Sequence, residues 1–96
     1  MLFAEKIKQL REKLQIPQRQ FAVALEIDMP MYSKIERGER PAKRKQIPII
    51  AQLLKTDENM FVALWLADKI IAVVGEEKEL VGKALNIVVE DCKKSK

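Results

Sequence analysis

Residues 18–38 read QRQFAVALEIDMPMYSKIERG, and this stretch decides the fold of the 96-residue chain. Three apolar residues at helical spacing predict the buried face of a short helix: Phe21, Ala22 and Leu25. Asp28 is a good N-cap for a second helix, and Pro30 suits the first turn of that helix. Gly38 can adopt the left-handed conformation that ends it. The stretch therefore predicts two short helices joined by a tight turn at residues 26–27.

The rest of the chain adds four helices to this pair. Apolar residues at intervals of three and four predict an amphipathic first helix over residues 2–14: Phe3, Ile7, Leu10 and Leu14. A fourth helix is predicted from residue 45 to 54, and Pro48 must lie in its first turn. A fifth helix is predicted over residues 58–74, and a sixth from residue 76 to about residue 90. No stretch has the period of a strand, so we expect an all-α chain.

Composition limits the possible classes of protein. The length suits one domain, and no apolar run reaches the roughly 18–20 residues of a membrane span. Cys92 is the single cysteine and cannot form an internal disulfide, which favours a reducing, cytoplasmic location. The chain has no histidine, so the usual general bases and zinc ligands are scarce. We expect no metal, no cofactor and no enzymatic activity.

The positive charge is concentrated in the first half of the chain. Residues 1–50 contain eleven Lys and Arg against six Asp and Glu, which gives +5, whereas residues 51–96 contain seven against eight, which gives −1. A basic half suggests a polyanionic partner, although a solvated surface would have a similar composition.

The sequence resembles the helix-turn-helix of the Xre family, the phage repressor and Cro type. The resemblance extends over about residues 3–66 and rests on these residues: Ile16-Pro17-Gln18-Arg19-Gln20-Phe21-Ala22, Leu25, Ile27-Asp28 and Tyr32-Ser33-Lys34-Ile35-Glu36-Arg37-Gly38. It implies a five-helix, repressor-like DNA-binding domain in residues 1–66, with an extended fifth helix and an additional C-terminal helix. The third helix would read double-stranded DNA in the major groove.

Four residues match the exposed, base-reading face of that helix: Met29, Pro30, Ser33 and Lys34. We expect Lys34 to hydrogen-bond guanine O6 and N7, and Ser33 to contact a base or a phosphate. Met29 and Met31 offer only apolar contact, for example with a thymine methyl group. Asp28 could accept from cytosine N4, although the alternative role of N-cap is favoured.

A second set of residues is expected at the phosphates or in the minor groove: Gln18, Arg11, Arg40, Lys43, Arg44 and Lys45. Gln18 matches the family glutamine that opens the second helix and contacts a phosphate. The three cations at residues 43–45 oppose the dipole of the fourth helix, so a phosphate partner accounts for them better than stability does. The alternative is a solvated loop. Arg44 matches a position that can enter the minor groove.

The resemblance also implies a salt bridge between Arg11 and Glu36, which is structural but could orient Arg11 towards a phosphate. Glu26 departs from the family because glycine is commonest at this turn position. It implies either strain or a less left-handed turn. Pro17 replaces the usual Ser or Thr cap of the second helix. Because the base-reading face is poor in hydrogen-bonding groups, DNA shape should contribute more than usual to specificity.

The fifth helix is more apolar than is needed to cover the core of a 60-residue helix-turn-helix domain, which we call the head. Its candidate dimerisation residues are Leu64, Trp65, Ile70, Ile71 and Val74. We expect a dimerisation region over residues 57–91 and a frayed tail over residues 92–96. Packing of the last two helices within one chain is the alternative. The predicted function is a homodimeric, sequence-specific regulator, a repressor or autoregulator of a palindromic operator. The rival is an antitoxin-like module that binds a partner protein through its C-terminal helices.

Overall fold

The structure, a computed structural model, describes residues 1–94. Its helices are α1 (Leu2–Lys13), α2 (Gln18–Leu25), α3 (Met29–Glu36), α4 (Ile47–Leu53), α5 (Glu58–Val74) and α6 (Val81–Lys94). Short 3-10 turns, Arg44–Gln46 and Lys78–Leu80, precede α4 and α6. No strand occurs in the described residues, so the all-α prediction is confirmed.

The hydrophobic core joins α1–α4 to the first turn of α5. Its largest fully buried side chains are Tyr32, Phe21, Phe61, Ile7, Ile47 and Ile50. The rings of Phe3 and Phe61 meet edge to face with centroids 5.5 Å apart, which connects the start of α1 to the start of α5. Leu14 was predicted to lie on the apolar face of the first helix. Because α1 ends at Lys13, its side chain is exposed instead.

The turn between α2 and α3 is left-handed at a residue that carries a side chain. Glu26 has φ 57° and ψ 42°, so the first of the two alternatives for this position, backbone strain, is the correct one. The Ile27 N–H donates to the carbonyl of Ala22 at 3.0 Å, which closes the end of α2. Hydrogen bonding and core packing therefore hold the turn without glycine.

Gly38 follows α3 with φ +78°, as the sequence predicts for a residue that ends this helix. It has a second constraint, because a Cβ at this position would lie 2.8 Å from Cγ of Met1. The N-terminal residue therefore packs directly against the end of α3.

Asp68 in α5 holds the N-terminus of α1. Its buried carboxylate accepts the N–H of Leu2 at 2.8 Å and of Phe3 at 3.0 Å. These N–H groups have no partner within their own helix, and the helix dipole favours an anion at this end. The contact fixes α1 on α5.

The boundaries of two helices differ from the prediction. The fourth helix begins at Ile47 rather than residue 45, because the 3-10 turn takes up residues 44–46. The sixth begins at Val81 and continues through Lys94, so it includes residues 92–94 of the expected tail; residues 95–96 lie outside the described part of the chain. Pro48 does lie in the first turn of α4.

None of the helices in residues 1–94 combines the length and the apolar character needed to span a bilayer.

Candidate nucleic-acid interface

Helix α3 has one buried and one exposed face. Tyr32 and Ile35 are buried, whereas Met29, Pro30 and Lys34 are exposed. Oδ1 of Asp28 accepts the Met31 N–H at 2.8 Å, so this carboxylate has the capping role that the sequence favoured. The exposed face of α3 is therefore available to an outside partner, and Lys34 supplies its cationic donor.

Arg37 lies immediately after α3 and contacts the same face. Its Nη1 donates to Oγ of Ser33 at 3.2 Å, and its Nε donates to Oε2 of Glu39 at 2.6 Å. The hydrogen bond from Arg37 holds the pKa of the Glu39 carboxyl below its usual range. The spacing of four residues between Ser33 and Arg37 is the signal in the sequence that could have revealed this contact.

A cluster of polar side chains joins α1, α2 and α3 beneath this face. Nε and Nη2 of Arg11 each donate to Glu36 at 2.8 Å, so the predicted salt bridge is present and bidentate. The Tyr32 hydroxyl donates to the same carboxylate at 2.7 Å. The Glu36 side chain is 2% exposed and that of Arg11 is 13% exposed. The pair is therefore structural, as predicted.

Burial alone would raise the pKa of the Glu36 carboxyl. Hydrogen bonds from Arg11, Tyr32 and Gln18 together outweigh this effect and hold that pKa below its usual range. Burial and the bond to Glu36 raise the pKa of the Tyr32 hydroxyl, which therefore stays protonated. The cluster is consequently a charged pair with its hydrogen-bonding requirements met.

Gln18, the expected phosphate contact, belongs to this cluster. Its Nε2 donates to Oε1 of Glu36 at 3.1 Å, which orients the amide at the first residue of α2. A glutamine amide has a second N–H, so this bond leaves a donor for an outside partner. Arg11 also donates to the carbonyl of Ile16 at 3.0 Å and so fixes the loop that leads into α2.

Two of the basic residues 43–45, Lys43 and Lys45, lie near the start of α3 or the turn before it. Arg40 and Lys43 border a small depression together with Met31. Lys43 and Lys45 border a wider one beside Glu26, in the turn before α3. All three residues of the segment are exposed, and none forms an ion pair within residues 1–94. Arg44 borders neither depression.

The five candidate dimerisation residues do not share one surface. Leu64 and Trp65 are half-buried against the core of their own chain, and Nε1 of Trp65 donates to the carbonyl of Ala42 at 2.7 Å. Ile70 and Ile71 are exposed, and Val74 is half-buried. Contacts within the chain therefore already cover part of the surface of Leu64 and Trp65.

An apolar surface that includes two of these candidates, Ile70 and Val74, lies between α5 and α6. A groove of about 340 Å³ separates these helices, and its apolar lining is Leu66, Ile70, Val73, Val74, Ala84, Leu85 and Val88. Leu66, Val73, Leu85 and Val88 are all exposed. They lie in the expected dimerisation region, residues 57–91, but were not among its five named candidates. Intervals of four and three separate Leu66, Ile70 and Val73, and an interval of three separates Leu85 from Val88. This helical spacing could have identified them.

No group of three or more His, Cys, Asp or Glu residues within residues 1–94 could hold a metal ion. Cys92 is exposed on α6 as a free thiol.

Comparison with known protein families gives a match over most of the head. A family model described as "Helix-turn-helix" matches residues 7–61. Comparisons with curated proteins and with solved structures gave no match.

Proposed function

Since this chain belongs to the Xre-type helix-turn-helix family of DNA-binding transcription regulators, we propose that it represses transcription as a homodimer on a short palindromic operator. It would act in the cytoplasm and need no cofactor. The observation that carries the proposal is the exposed face of α3, which has the basic segment 43–45 beside its start. The family is one of DNA-binding proteins, so we propose no catalytic role.

Base reading would fall to α3. Lys34 is exposed and can donate to guanine O6 and N7, and Met29 and Pro30 offer apolar contact beside it. Ser33 already accepts from Arg37, so its hydroxyl would reach DNA together with that guanidinium. Few groups on this face can hydrogen-bond a base, and DNA shape should therefore supply part of the specificity.

Phosphate contacts would hold the domain on either side of α3. Gln18 begins α2 with its amide fixed by Glu36, and the exposed cations Lys43, Arg44 and Lys45 precede α4. Arg40 is a further candidate near Lys43. Arg11 is mostly buried in its salt bridge, so its contribution would be to position Gln18 through Glu36.

Dimerisation would use the apolar surface between α5 and α6. Exposed aliphatic side chains line both helices there, and burying them against a second copy would stabilise the pair. A two-fold axis would place two α3 helices on half-sites about one turn, roughly 34 Å, apart.

Selection of bound duplexes from a random pool tests the proposal. We expect one palindromic sequence with a fixed half-site spacing. Lys34→Ala should reduce the preference for that sequence over a scrambled duplex, whereas Lys43→Ala should weaken binding to both and lower the salt slope by about one unit. Lys78→Ala, an exposed lysine in the turn before α6, is the control. Equal affinity of the unaltered protein for all duplexes at physiological salt would contradict the proposal.

The α5–α6 surface also fits a second candidate, a module that binds a different protein. No residue of α6 is buried within its own chain, so a foreign partner could cover the same side chains. If the untagged chain co-purifies with another protein in a fixed stoichiometry, that result would favour this function. Self-association of the purified chain would favour the homodimer.

A further inference from the structure

A second cavity, of about 250 Å³, lies between the start of α1, the loop after α3, and α5. Its walls are mainly apolar and include Phe3, Ala4, Ile35, Ala42, Trp65 and Ala72. An apolar cavity of about 150 Å³ is large enough to hold benzene. This one therefore has room for an aromatic ring with a short substituent.

The charges around the cavity favour an anion. Arg40 and Lys69 border it, and neither forms an ion pair within residues 1–94. Nζ of Lys69 lies 4.5 Å from the centroid of the Trp65 ring, which places a cation beside an aromatic wall. Asp68 also borders the cavity, but both of its oxygens already accept backbone N–H groups at the N-terminus of α1. The cations are therefore not balanced by the one acid in the wall.

We propose that this cavity binds a small aromatic carboxylate. The ring packs against Phe3 and Trp65, and the carboxylate is held by Arg40 and Lys69. This is the usual composition of a small-molecule site, which is a mostly apolar concavity with a few polar groups that fix the orientation of the ligand. An uncharged ring would fill the same walls but would leave Arg40 and Lys69 without a counter-ion.

The position of Arg40 links this cavity to the DNA-facing side. The residue also borders the depression that contains Met31 and Lys43. A carboxylate in the cavity competes for its guanidinium with a DNA phosphate, so ligand binding lowers operator affinity. This consequence, unlike the binding itself, rests on the proposed function.

Trp65 is the only tryptophan of the chain and lies in the cavity wall, so its fluorescence reports binding without DNA. We expect a saturable change on titration with phenylacetate. Phenylacetamide should bind about tenfold more weakly, because it lacks the charge that strengthens a hydrogen bond to Arg40 or Lys69. Arg40→Gln should weaken phenylacetate binding by a similar factor. Lys8→Gln, at an exposed lysine that does not border the cavity, should leave it unchanged.

Ala72→Phe tests the location, because Ala72 is exposed at the rim and a larger side chain there fills the cavity without disturbing the core. The variant should unfold at the same temperature as the unaltered chain and lose phenylacetate binding. Equal affinity for phenylacetate and phenylacetamide, or undiminished binding to folded Ala72→Phe, would overturn the proposal. Hexanoate binding as tightly as phenylacetate would overturn the aromatic class. Because these titrations contain no DNA, a failure of operator recognition leaves their result intact.

Discussion

Residues 1–61 and residues 62–94 differ in how completely they cover their own apolar surface. The first region contains every buried apolar residue of the described chain, from Phe3 to Phe61. Beyond Phe61, the described chain contains one buried residue, the polar Asp68. The head therefore has a core of its own, whereas α6 and the second half of α5 present apolar side chains to solvent. A second copy that covers them would complete this part of the molecule.

Helix α5 belongs to both regions. Its inward face places Phe61 and Trp65 against the head, and Asp68 on the same face holds the start of α1. Its outward face carries Leu66 and Val73, which line the groove beside α6. A dimer formed through that groove would therefore set the separation of the two heads through one continuous helix.

The largest expected effect comes from placing charge on the uncovered surface. Ile70→Asp combined with Val88→Asp should give a monomer, because a second copy would then have to bury carboxylates. Operator affinity should fall about 100-fold or more when the two half-sites are no longer bound by linked heads. Sedimentation velocity and a duplex titration measure the two effects.

The head should retain its fold in that double variant, because neither residue contributes to its core. Val23→Asp is a matched control for oligomeric state, since it charges an exposed valine of α2 outside the groove. A double variant that sediments like the unaltered chain would contradict a dimer formed through the α5–α6 groove.

The next largest expected effect is a loss of stability in the head. Arg11→Met should lower the free energy of unfolding by about 2 kcal/mol, because it leaves the buried Glu36 carboxylate without its cation. Arg11 keeps some exposure, so the loss should be smaller than for a fully buried pair. Urea unfolding checks the value. Arg37→Met is the control, because it removes an exposed ion pair and should change the free energy of unfolding little. An equal loss of stability in both variants would show that burial of Glu36 is unimportant.

Acid should weaken the same cluster. The pKa of Glu36 is below its ordinary value of 4.5 in the folded head, so its contribution to stability is complete above about pH 4.5 and is lost as the pH falls through the folded pKa. Urea unfolding at pH 6 and at successively lower pH should show this loss. Glu36→Gln should show a smaller pH dependence over that range, and identical slopes for the two proteins would contradict the assignment.

The smallest expected effect is a gain in the stability of the head. Glu26→Gly should stabilise the head by at most about 1 kcal/mol, because glycine adopts the left-handed conformation of this turn without the Cβ penalty. Thermal unfolding should shift upwards by a few degrees. Ala24→Gly, within α2, should have the opposite effect because glycine weakens a helix interior. A lower melting temperature for Glu26→Gly would show that the Glu26 side chain itself stabilises the turn.

Local chemistry accounts for what the sequence predicted well. Asp28 caps α3 through its own side chain, and Gly38 ends α3 with positive φ. Each of these signals acts within a few residues, so it can be read without the tertiary structure. The Arg11–Glu36 pair came from the family resemblance, and the structure adds Gln18 and Tyr32 to it.

Long-range contacts account for what the sequence missed. The bond from Trp65 to Ala42 spans 23 residues, and the one from Leu2 to Asp68 spans 66. Helix α5 is apolar on both faces, so its pattern cannot show which face meets the head. Helix α6 continues past residue 90 because no glycine or proline stops it there, and Lys93 and Lys94 suit the negative end of its dipole.

Sedimentation equilibrium of the unaltered chain over a micromolar concentration series tests whether two copies of the chain associate. If a second copy covers the α5–α6 surface, we expect a species of twice the 11.1 kDa chain mass. A single 11.1 kDa species throughout the series would contradict the dimer. It would also remove the basis for a palindromic operator.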